Sequence, residues 1–328
     1  MNTRRKLLLM TGAGLLVGYP LALAQPAKTI WRIGVIHVGS ETGSKQRVMV
    51  FERGLTARAH VLRKTTEIEY RFVRPSPDQL RQAAKELSAR TDVLVVWGTV
   101  SAIAAKVAGI ESPVVFASVG FPIALGLAQS LRKPGGNFTG IRFEAADDTY
   151  GKRLEILKEI VPGLSRVAAL GDGNDRNIGP ALETLHRVAP TLGVEVLEAK
   201  VQTAADITTA FSGFDKKEVQ AVIVISGALM YVNSRLLAKL TLEHNLPSVH
   251  GLNHSVAVGG LISLGPDLNA MADQAANYVD KILRGTSPGD LPIEQPSRYE
   301  LHINTKSAEQ LGVAVPMSLL VRADNVIE

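Results

Sequence analysis

The sequence predicts an α/β fold in which two doubly wound, mostly parallel sheets form separate lobes. Short runs rich in Val and Ile alternate with helical stretches almost from end to end. Runs that are apolar at nearly every position are typical of parallel strands covered on both faces. A turn cluster at Pro134–Asn137 divides the alternation into two blocks, because neither a strand nor a helix continues through it. Two blocks of about 150 residues each match the usual domain size.

The predicted elements follow one another in a regular order. Strands are expected at Ile33–Val38, Val93–Trp97, Val114–Ala117, Val167–Leu170 and Ala221–Ile225. Apolar residues three and four positions apart predict amphipathic helices between them, with stripes at Leu80–Leu87, Tyr150–Val161 and Ala272–Leu283. Ser76 and Pro77 mark the start of the first of these helices, as N-cap and first-turn residues. Strands alternating with helices of this length predict an open parallel sheet.

The lobe boundaries are predicted from turn signals. Residues 25–140 are expected to form most of the N-terminal lobe, and residues 141–261 the C-terminal lobe. Gly259 and Gly260 precede an apolar stretch, which suggests a return path. Residues from about 262 to 328, with a strand at Tyr299–Ile303 and a short helix, are therefore expected to complete the N-terminal lobe.

Residues 1–24 are interpreted as an export signal. Three basic residues at positions 4–6 precede a short apolar stretch, and Ala22-Leu23-Ala24 supplies a small-x-small cleavage site, so that Gln25 begins the mature chain. The paired arginines also suit the twin-arginine route. No later segment has the roughly 20 apolar residues of a membrane span. We expect a soluble periplasmic protein, with an uncleaved N-terminal anchor as the alternative.

Composition excludes several classes of site. The chain contains no cysteine, which excludes disulfide partners, thiolate nucleophiles, Cys-based metal sites and a lipid-modified cysteine. The formal net charge is +5, and loss of the three basic residues with the signal leaves +2. No Lys/Arg cluster interleaved with aromatic residues occurs. Nucleic acid is therefore not an expected partner.

Candidate ligand-binding residues lie directly after the predicted strands, where doubly wound sheets bind their ligands. These tips are rich in Gly, Ser and Thr, whose hydroxyls and backbone amides at helix N-termini suit a carboxylate or another anion. Thr99 is the clearest candidate because Gly98 leaves the backbone accessible, although Thr99 could instead cap its own helix. The predicted contacts are Ser40, Glu41, Gly98, Thr99, Ser101, Ser118, Gly120 and Phe121 in the first block and Asp172, Ser226, Gly227, His250 and Asn253 in the second.

Enzyme and metal motifs fail on inspection. The segment Gly285–Gly289 matches the sequence motif of a nucleophile elbow, but it follows a helix instead of a strand and contains proline. Gly171–Gly173 begins like a dinucleotide fingerprint but lacks its third glycine. His250 and His254 are four residues apart in a loop instead of on a helix, which does not favour a metal. Asp147-Asp148 is interpreted as a helix cap and first turn. No catalytic residue, cofactor or metal is predicted.

Several longer stretches resemble the ABC transporter substrate-binding protein family, which includes tryptophan- and tyrosine-type binding proteins. The resemblance covers nearly the whole mature chain and is most specific in Pro113–Phe116, Ser130–Gly140, Gly151–Glu159, Tyr278–Gly285 and Leu291–Pro296, with Gly98-Thr99 and Ala104–Lys106. It implies two α/β lobes joined by three crossovers, a type I periplasmic-binding fold that closes over a small ligand. It also implies delivery of the ligand to an ABC permease in the inner membrane.

One position departs from the family pattern. Members of the family commonly carry an Asp-Pro pair where this chain has Phe121-Pro122. The aspartate would be a natural partner for a ligand ammonium, so its replacement disfavours an α-amino acid and favours an aromatic or plain carboxylate ligand. Glu41 or Asp172 could replace the lost charge.

The resemblance and the missing catalytic motifs together predict a non-enzymatic, periplasmic solute-binding component of an ABC importer. Its ligand is expected to be a small organic compound, aromatic or carboxylate-bearing, with an amino acid left open. A periplasmic ligand-sensing subunit of a signalling receptor is the alternative from the regulatory class. A secreted enzyme on the same fold is the second alternative.

Overall fold

The computed structural model describes residues 30–143, 149–214, 219–296 and 298–328. Its strands are β1 (Trp31–Val38), β2 (Thr66–Val73), β3 (Val93–Trp97), β4 (Val114–Val119), β5 (Phe138–Arg142), β6 (Arg166–Asp172), β7 (Glu195–Val201), β8 (Ala221–Val224), β9 (Ser248–His250), β10 (Ile262–Pro266), β11 (Tyr299–Asn304) and β12 (Asn325–Ile327). Its helices are α1 (Glu41–Ala57), α2 (Pro77–Ser88), α3 (Thr99–Val107), α4 (Thr149–Ile160), α5 (Ile178–Val188), α6 (Ala204–Gly213), α7 (Ala228–Val232), α8 (Ser234–Glu243), α9 (His254–Ala257), α10 (Leu268–Leu283), α11 (Thr305–Gln310) and α12 (Met317–Arg322). The predicted export signal and Asp147-Asp148 lie outside the described residues.

Two sheets form the cores of two lobes, which confirms the predicted α/β fold class. The sheet of the first lobe has the strand order β2-β1-β3-β4-β5, and its strands run parallel. The sheet of the second lobe has the order β12-β11-β10-β9-β8-β6-β7 and is parallel except where β10 and β11 pair. In the first lobe, α1 and α10 cover one face, and α2 and α3 cover the other.

Successive described elements change lobe three times along the chain. The first crossing follows β5 and leads to α4. The second joins β10 to α10, which packs against α1 and β4 of the first lobe. The third leads from Glu294, whose backbone amide donates to the carbonyl oxygen of Gly140 in β5, to β11 in the second sheet.

The C-terminal segment lies in a different sheet from the one predicted. Strand β11 pairs antiparallel with β10, with Leu264 opposite Leu301, and β12 adds to β11. Leu301 and Leu319 are buried in the core of the second lobe. The expectation that residues 262–328 complete the N-terminal lobe is therefore wrong for these strands, and α10 with the segment up to Glu294 is the part that returns. The error has a physical cause, because a strand's own pattern does not reveal which sheet edge it joins.

No described helix combines the length and the apolar character that a membrane crossing requires.

Candidate functional site

A cavity lies between the lobes, at the carboxyl ends of β1, β3 and β4 on one side and of β6 and β8 on the other. It has an empty volume of about 650 Å³, part of which is open to solvent. Its lining combines rings, small residues and a few charges: His37, Val38, Arg47, Trp97, Gly98, Thr99, Ser118, Gly120, Phe143 and Leu268 from the first lobe, and Asp175, Asn177, Ser226, Gly227, Ala228, Tyr231 and Leu252 from the second. Mostly apolar clefts with a few convergent polar groups are typical of small-molecule sites.

The first-lobe wall is a stack of rings across neighbouring strands. The His37 ring lies between Trp97, at 5.3 Å between ring centroids, and Phe72, at 5.6 Å. His37 is only 2% exposed, and its burial, helped by the Arg47 charge, lowers its pKa to about 3. The imidazole is therefore neutral at physiological pH. Its Nδ1 atom is buried without a hydrogen-bond partner.

Arg47 of α1 places a cation against this wall. Its guanidinium lies 5.6 Å from the ring centroid of Trp97 and 5.4 Å from that of Tyr231, within the range of cation–π contacts. It donates to Ser44 Oγ at 3.2 Å and to Tyr231 Oη at 3.1 Å, while its Nε is buried without a partner. In the described part of the chain no carboxylate pairs with Arg47. The site thus holds a fixed cation with an unused N–H, an arrangement suited to a carboxylate.

Two contacts between the lobes lie beside the cavity, and we call the state that contains them the closed arrangement. The Tyr231 hydroxyl, from the second lobe, donates to the Gly43 carbonyl oxygen of α1 at 3.0 Å. The side-chain amide of Asn177 approaches Gly120 so closely that a Cβ added to Gly120 would lie 2.1 Å from Asn177 Oδ1. The closed arrangement therefore depends on a tyrosine hydroxyl and on a missing side chain.

Backbone geometry shapes the loops of the first lobe. Gly98, with φ +84°, caps α3, and a Cβ added to it would meet no atom within 4 Å. Thr99 makes no capping bond to its own helix, and its Oγ1 instead accepts from the Gly120 amide at 3.3 Å. Ser118 has φ +63° at an irregularity in the pairing of β4 with β5. Both loops line the cavity.

The second lobe presents acceptors. Asp175 is 5% exposed, and its Oδ1 accepts from the backbone N–H of Asn177 at 2.9 Å. Asn177 Oδ1 and Ser226 Oγ are buried without partners. Burial, together with the nearby Asp172 charge, raises the pKa of Asp175 to about 6. In the described residues no cation pairs with this carboxylate, so the second-lobe wall carries an uncompensated negative charge at neutral pH.

The raised pKa of Asp175 predicts a pH-dependent loss of stability in the ligand-free protein. Because the folded-state pKa, about 6, exceeds the ordinary value of 3.8, the folded state binds more protons than the unfolded state between these values. Ionisation of Asp175 therefore destabilises the fold as pH rises through about 6. We expect Asp175→Asn to raise the free energy of unfolding by up to about 3 kcal/mol at about pH 8, with the gain vanishing near pH 4. Thermal unfolding of Asp175→Asn and wild type across this pH range tests the prediction. A stabilisation by the substitution that does not change with pH would contradict the prediction.

Six of the thirteen residues predicted to contact a ligand line the cavity: Gly98, Thr99, Ser118, Gly120, Ser226 and Gly227. The structure brings these six together from both lobes. Their contact with a ligand stays a prediction.

Four predicted first-lobe residues lie elsewhere. Ser40 caps α1, with its Oγ accepting from the Gly43 amide at 3.2 Å, and Glu41 is exposed in the first turn. Ser101 is buried within α3. Phe121, expected to offer its ring to the ligand, packs instead against the core of the second lobe.

The other three predicted residues outside the cavity lining belong to the second lobe. Asp172 Oδ1 accepts from the Asn174 amide at 2.9 Å within its own turn. His250 is buried, shares a hydrogen bond with Ser248 Oγ at 3.1 Å and has a pKa lowered to about 4, mainly by burial. Asn253 bonds to Ser263 and Glu300. Each of these side chains already makes at least one hydrogen bond within the protein.

The prediction missed the most chemically distinctive lining residues. Arg47 and Tyr231 lie on helices, and nothing in their local pattern marks them. Asp175 and Asn177 follow Gly171–Gly173, at the end of a predicted strand, by only a few residues. Examining a slightly longer segment after that strand would have found them.

The described residues contain no group of three or more His, Asp or Glu side chains arranged to hold a metal ion.

The chain is similar in sequence and in fold to known substrate-binding proteins. The family model described as "ABC transporter substrate binding protein" matches residues 32–327. A tyrosine-binding protein of Clostridioides difficile is 27% identical over 231 residues, which cover 70% of this chain and 66% of that protein, just under two thirds of its length. A solved conserved domain protein of Vibrio cholerae is 25% identical, with a TM-score of 0.84 over 90% of this chain and 99% of that one. A solved ABC domain of Streptococcus pneumoniae in complex with L-Trp is 23% identical, with a TM-score of 0.84 over 91% of this chain and 100% of that one.

Proposed function

We propose, from the premise that this chain belongs to the ABC transporter substrate-binding protein family, that it captures a small aromatic carboxylate between its lobes for import. One observation carries the choice of ligand: the Arg47 guanidinium lies against Trp97 and Tyr231 at the cavity, with its Nε unpartnered. A carboxylate satisfies that N–H, and an aromatic body fills the space beside the rings. The relatives described with tyrosine and with L-Trp support the same ligand class.

Capture works through closure of the lobes. The cavity is lined from both lobes, so a ligand that contacts both sides stabilises the closed arrangement over an open one. Tyr231 links the two events, because its hydroxyl accepts from Arg47 of the ligand site and donates to Gly43 of the opposite lobe. Binding and closure therefore share one side chain.

The place of action in this proposal is the periplasm, and the partner is an ABC permease of the inner membrane. The export signal interpreted at residues 1–24 supports the location, and the family supports the partner. Release at the permease then requires the lobes to separate.

The proposal is tested by calorimetry with a panel of aromatic carboxylates and by small-angle scattering. The panel comprises 3-phenylpropionate, 3-(4-hydroxyphenyl)propionate and indole-3-propionate, with phenylalanine, tyrosine and tryptophan. Butyrate and indole serve as controls that lack the ring or the carboxylate. We expect at least one panel member to bind more tightly than both controls and to decrease the radius of gyration. Binding of no panel member, or equal binding of indole, contradicts the proposal.

Tyr231→Phe is expected to weaken binding by about 5-fold, which corresponds to about 1 kcal/mol for a net hydrogen bond. The substitution keeps the ring beside Arg47 but removes the hydroxyl that bonds to Gly43 in the closed arrangement. Tyr70→Phe is the matched control, because its hydroxyl donates to Glu52 away from the cavity. Equal affinities of the Tyr231 variant and wild type would show that the hydroxyl does not stabilise closure.

A further inference from the structure

We propose, resting on the lobe closure in the proposed function, that the Phe121 ring stabilises the closed arrangement before any ligand binds. The ring belongs to the first lobe and packs against the hydrophobic core of the second, and we call this packing the Phe121 contact. It sets how much of the ligand-free protein is closed. Through that population it sets the affinity for every ligand that the cavity holds.

The backbone of Phe121 is fixed to the first lobe. The Phe121 carbonyl oxygen, just beyond β4, accepts from the Leu125 amide at 3.0 Å. Leu125 is buried in a core of the first lobe. The neighbouring Gly120 amide donates to Thr99 Oγ1 at 3.3 Å, which ties the loop to the start of α3. The loop therefore moves with the first lobe when the lobes separate.

The side chain of Phe121 nevertheless packs on the opposite lobe. Its ring is partly buried against a core whose described buried residues all belong to the second lobe. The residue before it, Gly120, meets the side chain of Asn177 at the start of α5. Two successive residues of one first-lobe loop thus reach the second lobe, one through its ring and the other through the lack of a side chain.

Separation of the lobes would return this ring to water. Burial of a phenylalanine side chain favours the state that buries it by roughly 10-fold or more. The effect depends on the apolar area removed from water and needs neither a charge nor a ligand. It differs in this from the hydrogen bond of the Tyr231 hydroxyl to Gly43, which water replaces on opening.

The residue type at position 121 decides whether this position favours or opposes closure. An aspartate, which family members commonly carry here, would lose its hydration against an apolar core and gain no hydrogen-bond partner from it. Phenylalanine replaces this cost with a favourable contact. We therefore expect the ligand-free protein to populate the closed arrangement alongside an open one.

A larger closed population raises the affinity for ligand. The apparent dissociation constant equals the intrinsic constant divided by the fraction of protein that is competent to bind. Phe121 does not line the cavity, so the effect is the same for every ligand that requires closure. The Phe121 contact thus controls how tightly a ligand is held and not which ligand is selected.

The test measures the distance between the lobes without ligand. Because the chain has no cysteine, Gln46→Cys on α1 and Lys239→Cys on α8 place one spin label at an exposed position of each lobe. Double electron–electron resonance then gives the closed and open populations. We expect Phe121→Ala to lower the ratio of closed to open protein by roughly 10-fold or more, and Phe121→Asp to lower it further. Phe121→Leu, which keeps an apolar side chain, should lie between Phe121→Ala and wild type.

Ile123→Ala is the matched control. Ile123 is an apolar residue of the same loop, but it is 47% exposed and is not packed against the described second-lobe core. Its truncation should leave the distances unchanged. Equal populations in wild type and Phe121→Ala overturn the proposal, because the ring then does not favour closure. An equal shift in Ile123→Ala and Phe121→Ala also overturns it, because the shift then reflects the loop and not the ring.

Calorimetry separates the Phe121 contact from the proposed function. With the tightest compound of the panel, the affinities of the variants should follow the order of their closed populations. Affinities that do not follow this order overturn the effect on binding and leave the aromatic carboxylate function standing. If no panel compound binds, the proposed function fails, and the ligand-free distances still decide whether Phe121 stabilises closure.

Discussion

Arg47→Gln is expected to weaken binding of the tightest aromatic carboxylate by roughly 30-fold or more, because truncating one partner of a desolvated charge pair costs about 2–5 kcal/mol. Glutamine keeps a polar group of similar reach but loses the charge and the contacts with Trp97 and Tyr231. It also removes the donor to the Tyr231 hydroxyl, which weakens closure. Calorimetry with the panel described above measures the effect.

Arg53→Gln is the control for this experiment. Arg53 lies on the same helix, α1, but is exposed and does not line the cavity. The two variants lose the same net charge, so a difference between them isolates the position of the cation. Parallel, small losses in both variants would indicate that long-range attraction, and not a direct contact, accounts for any role of Arg47.

The position of the cavity could be predicted from the sequence, whereas its chemistry could not. The rule that ligands bind beyond the carboxyl ends of parallel strands led to Gly98, Thr99 and Ser118, which line the cavity. The rule concerns strand tips and is silent about helices. Arg47 reaches the cavity from within α1, and Tyr231 from α7, so their arrival depends on how the helices pack and on how the lobes meet.

The fold shows the same division between local and long-range information. Strands β1, β3, β4, β6 and β8 are buried almost throughout and have a continuous apolar pattern, which predicted them. Strand β2 was missed because its half-exposed sequence, with Glu67, Glu69 and Arg71, is that of a sheet edge. The placement of β11 failed for a related reason: pairing with β10 is a contact across a long stretch of chain, invisible in either strand alone.

Phe121 illustrates how a correct observation led to an incomplete inference. The departure from the family's aspartate is visible in the sequence, and it correctly removes a negative charge from the first lobe. Its consequence depends on what else lines the cavity. Asp172 is one of the two residues suggested as a replacement for the lost aspartate, but it does not line the cavity and accepts a hydrogen bond within its own turn. Asp175, three residues further along the chain, does line the cavity.

Gly120→Ala is expected to weaken ligand binding by about 5- to 150-fold, corresponding to an overpacking cost of about 1–3 kcal/mol in the closed arrangement. The added Cβ would lie 2.1 Å from Asn177 Oδ1 of the opposite lobe, so the lobes could close only after the Asn177 side chain or one of the two loops shifted. Gly120 does not have a positive φ, so alanine brings no backbone strain of its own. The cost therefore falls on closure and not on the folding of either lobe.

Calorimetry and small-angle scattering on the same samples test whether this steric clash hinders closure. We expect Gly120→Ala to retain the wild-type melting temperature without ligand, to bind the tightest panel compound more weakly and to remain more extended when saturated. Gly136→Ala is the matched control, because Gly136 is exposed outside the cavity and an added Cβ meets no atom within 4 Å. Unchanged affinity and full compaction of Gly120→Ala would mean that the ligand-bound state does not bring Gly120 and Asn177 into contact. In that case the closed arrangement described here would not be the one that holds the ligand.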